Sequence, residues 1–148
     1  ARAAERLCAA LRAGDMVVMD LDGATNASAW GGLASRLAQR RGVRGTILWG
    51  TCRDLEEIRA VGYPVWAVGV CPRRSRNDFT FGSINEEIAI AGVTIRAGDF
   101  VVADESGAVC VPQDRAGETL ELVARIEVQE RLLEQQVRDD VVATWDQV

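Results

Sequence analysis

The first 70 residues alternate between short apolar runs and amphipathic stretches, and this alternation constrains the fold more than any other feature. Apolar runs typical of buried strands occupy residues 16–20, 46–49 and 64–70. Helical patterns lie between them at residues 33–41 and 55–61, and each is followed by a glycine that ends it. Residues 21–29 are rich in loop-forming side chains, and residues 50–52 are predicted to form a turn. The alternation predicts an α/β fold whose first half is a parallel βαβ arrangement.

The second half of the chain has a different pattern. Short β runs occur at residues 88–90, 93–95, 100–102 and 108–111, with glycines between them, which predicts β-turn-β units. Residues 115–137 carry apolar side chains at helical spacing and predict a long C-terminal helix, and residues 1–13 predict a short N-terminal one. We expect residues 1–148 to form one domain.

Composition narrows the chemistry that this chain can perform. It contains no histidine, and its 17 basic residues are all arginine, so neither a histidine base nor a lysine Schiff base is available within these residues. A net charge of -5 argues against a general nucleic-acid binder. No apolar run approaches the roughly 18 residues of a membrane span, and no signal peptide is visible, so we expect a cytoplasmic protein with no membrane partner.

The four cysteines are predicted to be free thiols rather than disulfide or zinc-site residues. None of them forms a Cys-x-x-Cys pair, and each lies among apolar residues. Cys52 is the one that merits inspection as a reactive group, because it adjoins Arg53.

The first candidate site element lies just before the helical pattern at residues 33–41. Gly31 and Gly32 precede that helix, so the backbone N–H groups of Gly32, Leu33 and Ala34 would point out of its N-terminus. Such a helix end attracts a phosphate or a carboxylate. A simple glycine turn is the alternative interpretation.

The second candidate element follows the next strand. Because the carboxyl ends of neighbouring parallel strands form the usual ligand crevice, Arg53 and Asp54 should lie beside the first element. Arg53 could clamp a carboxylate, and Asp54 could hold a hard divalent cation that keeps several waters. Together they suit a 2-oxo acid substrate. The alternative is an ordinary helix start, with Asp54 as the cap and Arg53 in solvent.

A series of sequence blocks runs in order along residues 14–135. These blocks are Val17-Val18-Met19-Asp20, Trp30-Gly31-Gly32-Leu33, Arg41-Gly42-Val43-Arg44-Gly45, Gly50-Thr51-Cys52-Arg53-Asp54, Gly62-Tyr63-Pro64-Val65-Trp66-Ala67, Gly69-Val70-Cys71-Pro72, Gly92-Val93-Thr94-Ile95, Ala97-Gly98-Asp99 and Asp104-Glu105-Ser106-Gly107-Ala108-Val109-Cys110-Val111-Pro112. Their series resembles the RraA-like family. That family includes metal-dependent 4-hydroxy-4-methyl-2-oxoglutarate aldolases, oxaloacetate decarboxylases and the regulator of ribonuclease activity A.

The resemblance implies an α-β-β-α sandwich that assembles as a homotrimer or a dimer of trimers, with active sites between subunits. It implies that Asp54 holds Mg²⁺ or Mn²⁺, and that Glu130 of a neighbouring subunit is an outer-shell acid, with Glu127 and Glu134 as alternatives. A solvated helix face is the other interpretation of these three glutamates. The substrate contacts that it implies are the backbone of Gly31, Gly32, Leu33 and Ala34 and the side chain of Arg53.

The sequence departs from the family pattern in two places. Gly32 stands where the aldolases carry an acid, and an N-terminal segment that the family normally has is expected to be missing before Ala1. Asp54 is retained, whereas the ribonuclease regulators typically lack an acid there. The resemblance therefore implies a metal-dependent carbon–carbon lyase, an aldolase or decarboxylase that releases pyruvate from a 2-oxo acid through a metal-stabilised enolate. The alternative is a non-catalytic regulatory, protein-binding module or a degenerate enzyme, because of Gly32.

Overall fold

The structure is a computed structural model that describes residues 3–75 and 78–139. Two compact units make up the chain. Of the described residues, the first comprises 3–75, 78–97 and 103–108, and the second comprises 98–102 and 109–139. The expectations of a single domain over residues 1–148 and of a missing N-terminal segment stay predictions.

The helices and strands follow the predicted alternation. Their bounds are α1 (Ala3–Ala10), β1 (Met16–Trp30), α2 (Gly32–Arg40), β2 (Gly45–Cys52), α3 (Leu55–Val61), β3 (Val65–Val70), β4 (Ile88–Ile90), β5 (Val93–Ile95), β6 (Phe100–Ala103), β7 (Ala108–Val111) and α4 (Ala116–Arg138). A short 3-10 turn, Gln113–Arg115, precedes α4. The predicted mixed α/β class and the long C-terminal helix are confirmed.

The first unit is built on a three-stranded sheet in the order β1-β2-β3. Both strand pairs are parallel, which confirms the predicted βαβ arrangement. From Met16 opposite Gly45 to Asp20 opposite Trp49, β1 and β2 pair residue by residue. Beyond that point the register shifts three times, and the strands end together with Trp30 opposite Cys52. Both strands therefore deliver the residues that follow them to the same edge of the sheet.

The predictions of a loop at residues 21–29 and of a turn at residues 50–52 are wrong. Turn geometry is confined to Asp22 and Gly23, whose φ angles are 55° and 65°, and the chain then continues as part of β1. Asp22, Thr25 and Asn26 are exposed, whereas the buried Ser28 donates its hydroxyl to the carbonyl of Arg73 at 3.0 Å. In β2, Thr51 is buried and donates its hydroxyl to the carbonyl of Ala27 at 2.9 Å.

The core of the first unit lies where α2 and α3 pack against the sheet. Trp30 and Leu48 are each only 2% exposed, and the Trp30 ring stacks on Tyr63 with centroids 6.3 Å apart. The Tyr63 hydroxyl pairs with that of Thr46 at 2.8 Å, so both buried hydroxyls have a partner. The large ring of Trp30, the last residue of β1, thus anchors the edge from which the candidate site extends.

The remaining elements are short strand pairs and one long helix. β4 and β5 pair antiparallel, and β6 pairs with β7, which confirms the predicted β-turn-β units. No residue of α4 is fully buried in the described part of the chain. Over the residues described, no helix combines the length and the apolar character needed to cross a membrane.

Candidate functional site

The two candidate elements lie side by side at the carboxyl edge of the sheet. Gly31 and Gly32 follow the end of β1, and Arg53 and Asp54 follow the end of β2. The backbone N–H of Arg53 donates to the carbonyl of Trp30 at 3.0 Å, so the parallel pairing continues into the site. The sequence prediction that these residues meet therefore agrees with the structure.

Asp54 does not act as the cap of its own helix. It occupies the N-cap position of α3, yet its side chain makes no cap hydrogen bond there. Its φ of 59° lies in the left-handed region, which is uncommon for a residue other than glycine and is frequent at functional sites. The carboxylate instead turns toward α2, where its Oδ2 accepts the N–H of Gly32 at 3.3 Å. Asp54 therefore lies at the start of α3, as the helix-start interpretation expects, but without the side-chain cap.

The Arg53 and Asp54 side chains lie close to Gly31, so a larger residue at this position would displace them. A Cβ built on Gly31 would lie 2.6 Å from Asp54 Oδ2 and 3.1 Å from Arg53 Cγ and Cζ. The φ of Gly31 is −171°, an extended conformation that any residue adopts, so the constraint at this position is one of space. Both side chains thus pack directly against the backbone before α2.

Arg53 is held from two sides. Its Nε lies 3.4 Å from Asp54 Oδ2, and its Nη1 donates to the Ser28 hydroxyl at 3.4 Å. Ser28 is fully buried, and its hydroxyl donates to the carbonyl of Arg73 at 3.0 Å. The Arg53 side chain is 24% exposed, so part of the guanidinium still faces solvent. Sequence analysis missed Ser28, because a serine among loop-forming residues carries no signal of this role.

The start of α2 is fixed by a chain of hydrogen bonds. The Trp30 indole N–H donates to the Ser35 hydroxyl at 2.9 Å, and that hydroxyl donates to the Gly31 carbonyl at 3.1 Å. The backbone N–H of Ser35 also donates to the Gly31 carbonyl, at 3.0 Å. The amides of Leu33 and Ala34 precede this first intrahelical bond and belong to the first turn of α2, where helix N–H groups lack an intrahelical acceptor. Their predicted binding of an anion stays a prediction.

The residues present fit a divalent cation that keeps most of its ligands as water and substrate. Across residues 3–75 and 78–139, no group of three or more cysteine, aspartate, glutamate or histidine residues could enclose a metal ion. Asp54 offers one carboxylate, and both of its contacts within the described residues are made by Oδ2. Mg²⁺ is commonly bound through one or two carboxylates with several waters retained, so this donor set suits Mg²⁺ or Mn²⁺.

Cys52 does not have the properties of a nucleophile. It is 3% exposed, and burial raises the pKa of its thiol above the ordinary value, with the negative charge of Asp54 adding to the rise. A raised pKa keeps the thiol protonated and unreactive near neutral pH. The four cysteines are free, as predicted, although Cys8, Cys71 and Cys110 are partly exposed.

The predicted outer-shell acids lie in the second unit, along α4. Glu127 approaches Arg131 at 3.9 Å, and Glu134 approaches Arg138 at 3.2 Å. Among the described residues, Glu130 takes part in no ion pair of this kind, and its side chain is exposed. The role of Glu130, Glu127 or Glu134 toward another subunit stays a prediction.

A cavity of about 480 Å³ lies away from these residues. Gly14, Val43 and Pro64 are among its lining residues, and they precede β1, β2 and β3 respectively. It therefore opens at the amino edge of the sheet, opposite to the edge that carries Arg53 and Asp54.

Comparisons of this chain with known proteins agree on one protein family. The family model described as RraA-like, Aldolase/RraA, matches residues 2–110. An aldolase of Thermus thermophilus, named 4-hydroxy-4-methyl-2-oxoglutarate aldolase, is 30% identical over 105 residues, which is 71% of this chain and 63% of the relative. An uncharacterized protein of Methanocaldococcus jannaschii is 34% identical over 116 residues, 78% of this chain and 55% of the relative.

Among solved structures, a Streptomyces coelicolor protein superposes with a TM-score of 0.82 at 26% identity, over 90% of this chain and 68% of that one. It is described as an unusual member of the RNase ES inhibitor RraA protein family. The fold, with the candidate site at the carboxyl edge of its parallel sheet, thus defines an RraA-like α/β protein. The predicted fold class is confirmed. This chain belongs to the RraA-like family. It spans less than two thirds of the length of the curated relatives named here.

Proposed function

We propose that this chain carries the catalytic residues of a divalent-metal-dependent carbon–carbon lyase that cleaves a 2-oxo acid and releases pyruvate. The observation that carries the proposal is the Asp54 carboxylate, which leaves its own helix uncapped and lies against Gly32 beside the Arg53 guanidinium. The similarity to a Thermus thermophilus aldolase supports this reaction class.

Arg53 and the start of α2 bind the substrate carboxylate in this proposal. The guanidinium supplies a charge-assisted donor pair, and the amides of Leu33 and Ala34 supply neutral donors at the positive end of the helix. The contacts of Arg53 with Ser28 and Asp54 orient the guanidinium before substrate arrives. This pre-orientation lowers the entropy cost of placing the substrate for bond cleavage.

Asp54 would hold Mg²⁺ or Mn²⁺, and the cation, when bound, supplies a Lewis acid that polarises the 2-oxo group. The Gly32 N–H holds Asp54 Oδ2, which leaves Oδ1 for the cation. Cleavage of the C3–C4 bond sends its electron pair toward C3 and yields the enolate of pyruvate. Retro-aldol cleavage and oxaloacetate decarboxylation share this outcome, so either substrate tests the site.

The test is pyruvate release from oxaloacetate, corrected for the metal-only background, with and without Mg²⁺ or Mn²⁺. We expect Asp54→Ala to reduce release to that background and Arg53→Ala to raise KM strongly. Asp114→Ala is the matched control, because Asp114 is an exposed carboxylate in the second unit. Metal-dependent release that is equal in the Asp54→Ala and native proteins would refute the proposed site.

The complete site is proposed to form in a homo-oligomer, a trimer or hexamer, with Glu130 of the partner subunit as an outer-shell acid. A mixing experiment tests this sharing. Asp54→Ala and Glu130→Ala proteins, each inactive alone, should regain part of the activity when unfolded together and refolded, because some sites then combine two intact halves. Glu127→Ala serves as the control, since Glu127 lies near Arg131 on its own helix. No recovery on mixing would contradict a shared site.

A second candidate function is a regulatory, protein-binding role without catalysis. The observations that favour it are Gly32, which stands where the resemblance implies an acid, and the superposition on an RNase ES inhibitor family member. The same assay separates the candidates. Absence of metal-dependent pyruvate release from the folded protein, on both oxaloacetate and 4-hydroxy-4-methyl-2-oxoglutarate, would favour the regulatory role.

A further inference from the structure

A groove at the amino edge of the sheet lies apart from the candidate site. This amino-edge groove has a volume of about 480 Å³, which is within the range of ligand pockets. Val43 and Tyr63, which are 5% and 4% exposed, line it together with Pro64, so its base is apolar. Gly14 and Gly62 also line it, and a Cβ built on either glycine would meet no atom within 4 Å. The amino-edge groove therefore offers open space above an apolar base.

Five arginines belong to the groove or adjoin it. Arg44 is itself a lining residue. The carbonyl of Arg59 accepts the N–H of the lining residue Gly62 at 3.0 Å. Three more arginines adjoin a lining residue in the chain, namely Arg12, Arg40 and Arg41. Of the residues that adjoin the lining in this way, only Asp15 carries a carboxylate, and its Oδ2 accepts the backbone N–H of Arg12 at 2.8 Å.

Two of these arginines bind backbone carbonyls at the end of α1. Nη1 of Arg12 donates to the carbonyl of Ala9 at 3.0 Å, and Nη1 of Arg41 donates to the carbonyl of Cys8. Such bonds satisfy the last carbonyls of a helix. They bring no negative charge to the guanidinium groups, so both arginines still contribute positive charge to this edge.

The other three arginines are exposed to solvent. Within the described part of the chain, none of Arg40, Arg44 and Arg59 forms an ion pair with a carboxylate. Arg40 and Arg59 lie in the last turns of α2 and α3, where a cation complements the helix dipole. Arg44 lies between the end of α2 and the start of β2, so the dipole does not account for it. The amino edge therefore holds an excess of positive charge in a chain whose net charge is -5.

We propose that the amino-edge groove binds an acidic peptide segment of a partner protein. Carboxylates of the segment pair with the surrounding arginines, and an apolar side chain between them enters the groove against Val43 and Tyr63. A peptide matches this surface because the arginines come from several elements and extend beyond the reach of one small anion. A nucleic acid matches it less well, because the buried Tyr63 offers no ring face on which a base could stack.

The test is the fluorescence anisotropy of a labelled peptide in which glutamates flank a leucine, titrated with the full chain. We expect saturable binding that Arg44→Glu weakens at least about 10-fold, because repulsion replaces attraction. Arg74→Glu is the matched control, since Arg74 is also exposed and pairs with Ser28 near the opposite edge of the sheet. At about 0.15 M salt, where distant charges are screened, this control should stay within about 2-fold of native. Equal weakening in both variants, or none in Arg44→Glu, would overturn the proposal.

A second variant and a second peptide guard this test against a change in folding. Urea unfolding shows whether Arg44→Glu keeps its fold, and Arg40→Glu should independently weaken the peptide about 5-fold. A peptide with glutamines in place of the glutamates should not bind. Equal binding of the two peptides would overturn pairing between carboxylates and arginines.

Two further measurements locate the peptide and decide its class. Changes in amide chemical shift on addition of the peptide should be largest at Gly42 and Gly62, and changes confined to Arg53 and Asp54 would overturn the proposed location. Oligouridylate should not displace the peptide, and RNA that binds more tightly and is lost in Arg44→Glu would overturn the choice of a peptide. Pyruvate release should be equal in Arg44→Glu and native protein, because the groove and the candidate site lie at opposite edges. This proposal therefore stands or fails independently of the proposed lyase function.

Discussion

Adding one methyl group at Gly31 should disable the site while leaving the fold intact. In Gly31→Ala the new Cβ would lie 2.6 Å from Asp54 Oδ2 and 3.1 Å from two carbons of Arg53. An ordinary van der Waals contact begins at 3.4 Å, so the Asp54 oxygen must retreat by about 0.8 Å. The extended φ of −171° suits alanine, so no backbone strain adds to this displacement.

The size of the effect follows from that displacement. A misplacement of about 1 Å costs roughly 100-fold in rate, which equals about 2.7 kcal/mol of activation free energy. The shift also breaks the 3.3 Å hydrogen bond from Gly32 N–H to the Asp54 carboxylate. Because Asp54 is more than a third exposed, water replaces part of this bond, and we expect a loss of at most about 1 kcal/mol in unfolding free energy.

The assay is Mg²⁺-dependent pyruvate release from oxaloacetate, with urea unfolding run on the same protein. Gly69→Ala is the matched control, since Gly69 lies in β3 of the same sheet and its Cβ would meet only Thr51 Cγ2, at 3.8 Å. That control should keep its rate within about 2-fold. A folded Gly31→Ala protein whose rate also stays within about 3-fold of native would refute the reasoning that the Arg53–Asp54 arrangement is the active site.

Three further outcomes are expected. Ser28→Ala should raise the KM for the 2-oxo acid about 5-fold, equivalent to about 1 kcal/mol, because Arg53 loses its contact with the Ser28 hydroxyl. An unchanged KM would contradict this positioning role. Gly32→Ala should destabilise the native chain, because its Cβ would lie 2.6 Å from the Cβ of Glu57, and Glu57→Gly should relieve that clash. A double-mutant cycle in urea should therefore show coupling of about 0.5–3 kcal/mol, and additive effects would argue against the contact. Burial raises the pKa of the Cys52 thiol, so the thiol of the unfolded chain loses its proton at a lower pH than that of the folded chain. The contribution of Cys52 to the free energy of unfolding should therefore be full below about pH 8.5 and be lost as pH rises further. Urea titrations should show a smaller loss of stability at high pH in Cys52→Ala.

The order of strands and helices in the first half was predictable because each element has its own hydrophobic period and its own ending residue. Glycines after the predicted helices and short apolar runs between them were sufficient to infer parallel strands. Parallel pairing in turn places the ends of β1 and β2 at one edge, so the meeting of Gly31 with Arg53 and Asp54 followed from the sequence. Periodicity failed at residues 21–29 because β1 continues past Asp22 and Gly23, and its buried Ser28 is satisfied by the carbonyl of Arg73 in the loop after β3.

The sequence by itself therefore determined the α/β class, the helix and strand order and the edge of the sheet on which the candidate site lies, because these depend on local patterns and on the handedness of parallel connections. Only the tertiary structure decided which contacts the side chains at that edge make. Asp54 could have capped its own helix, and nothing in the linear sequence relates Glu57 to Gly32. Both relations arise from the close approach of α3 to the start of α2, two helices that contribute Ile58 and Ala38 to the same buried core.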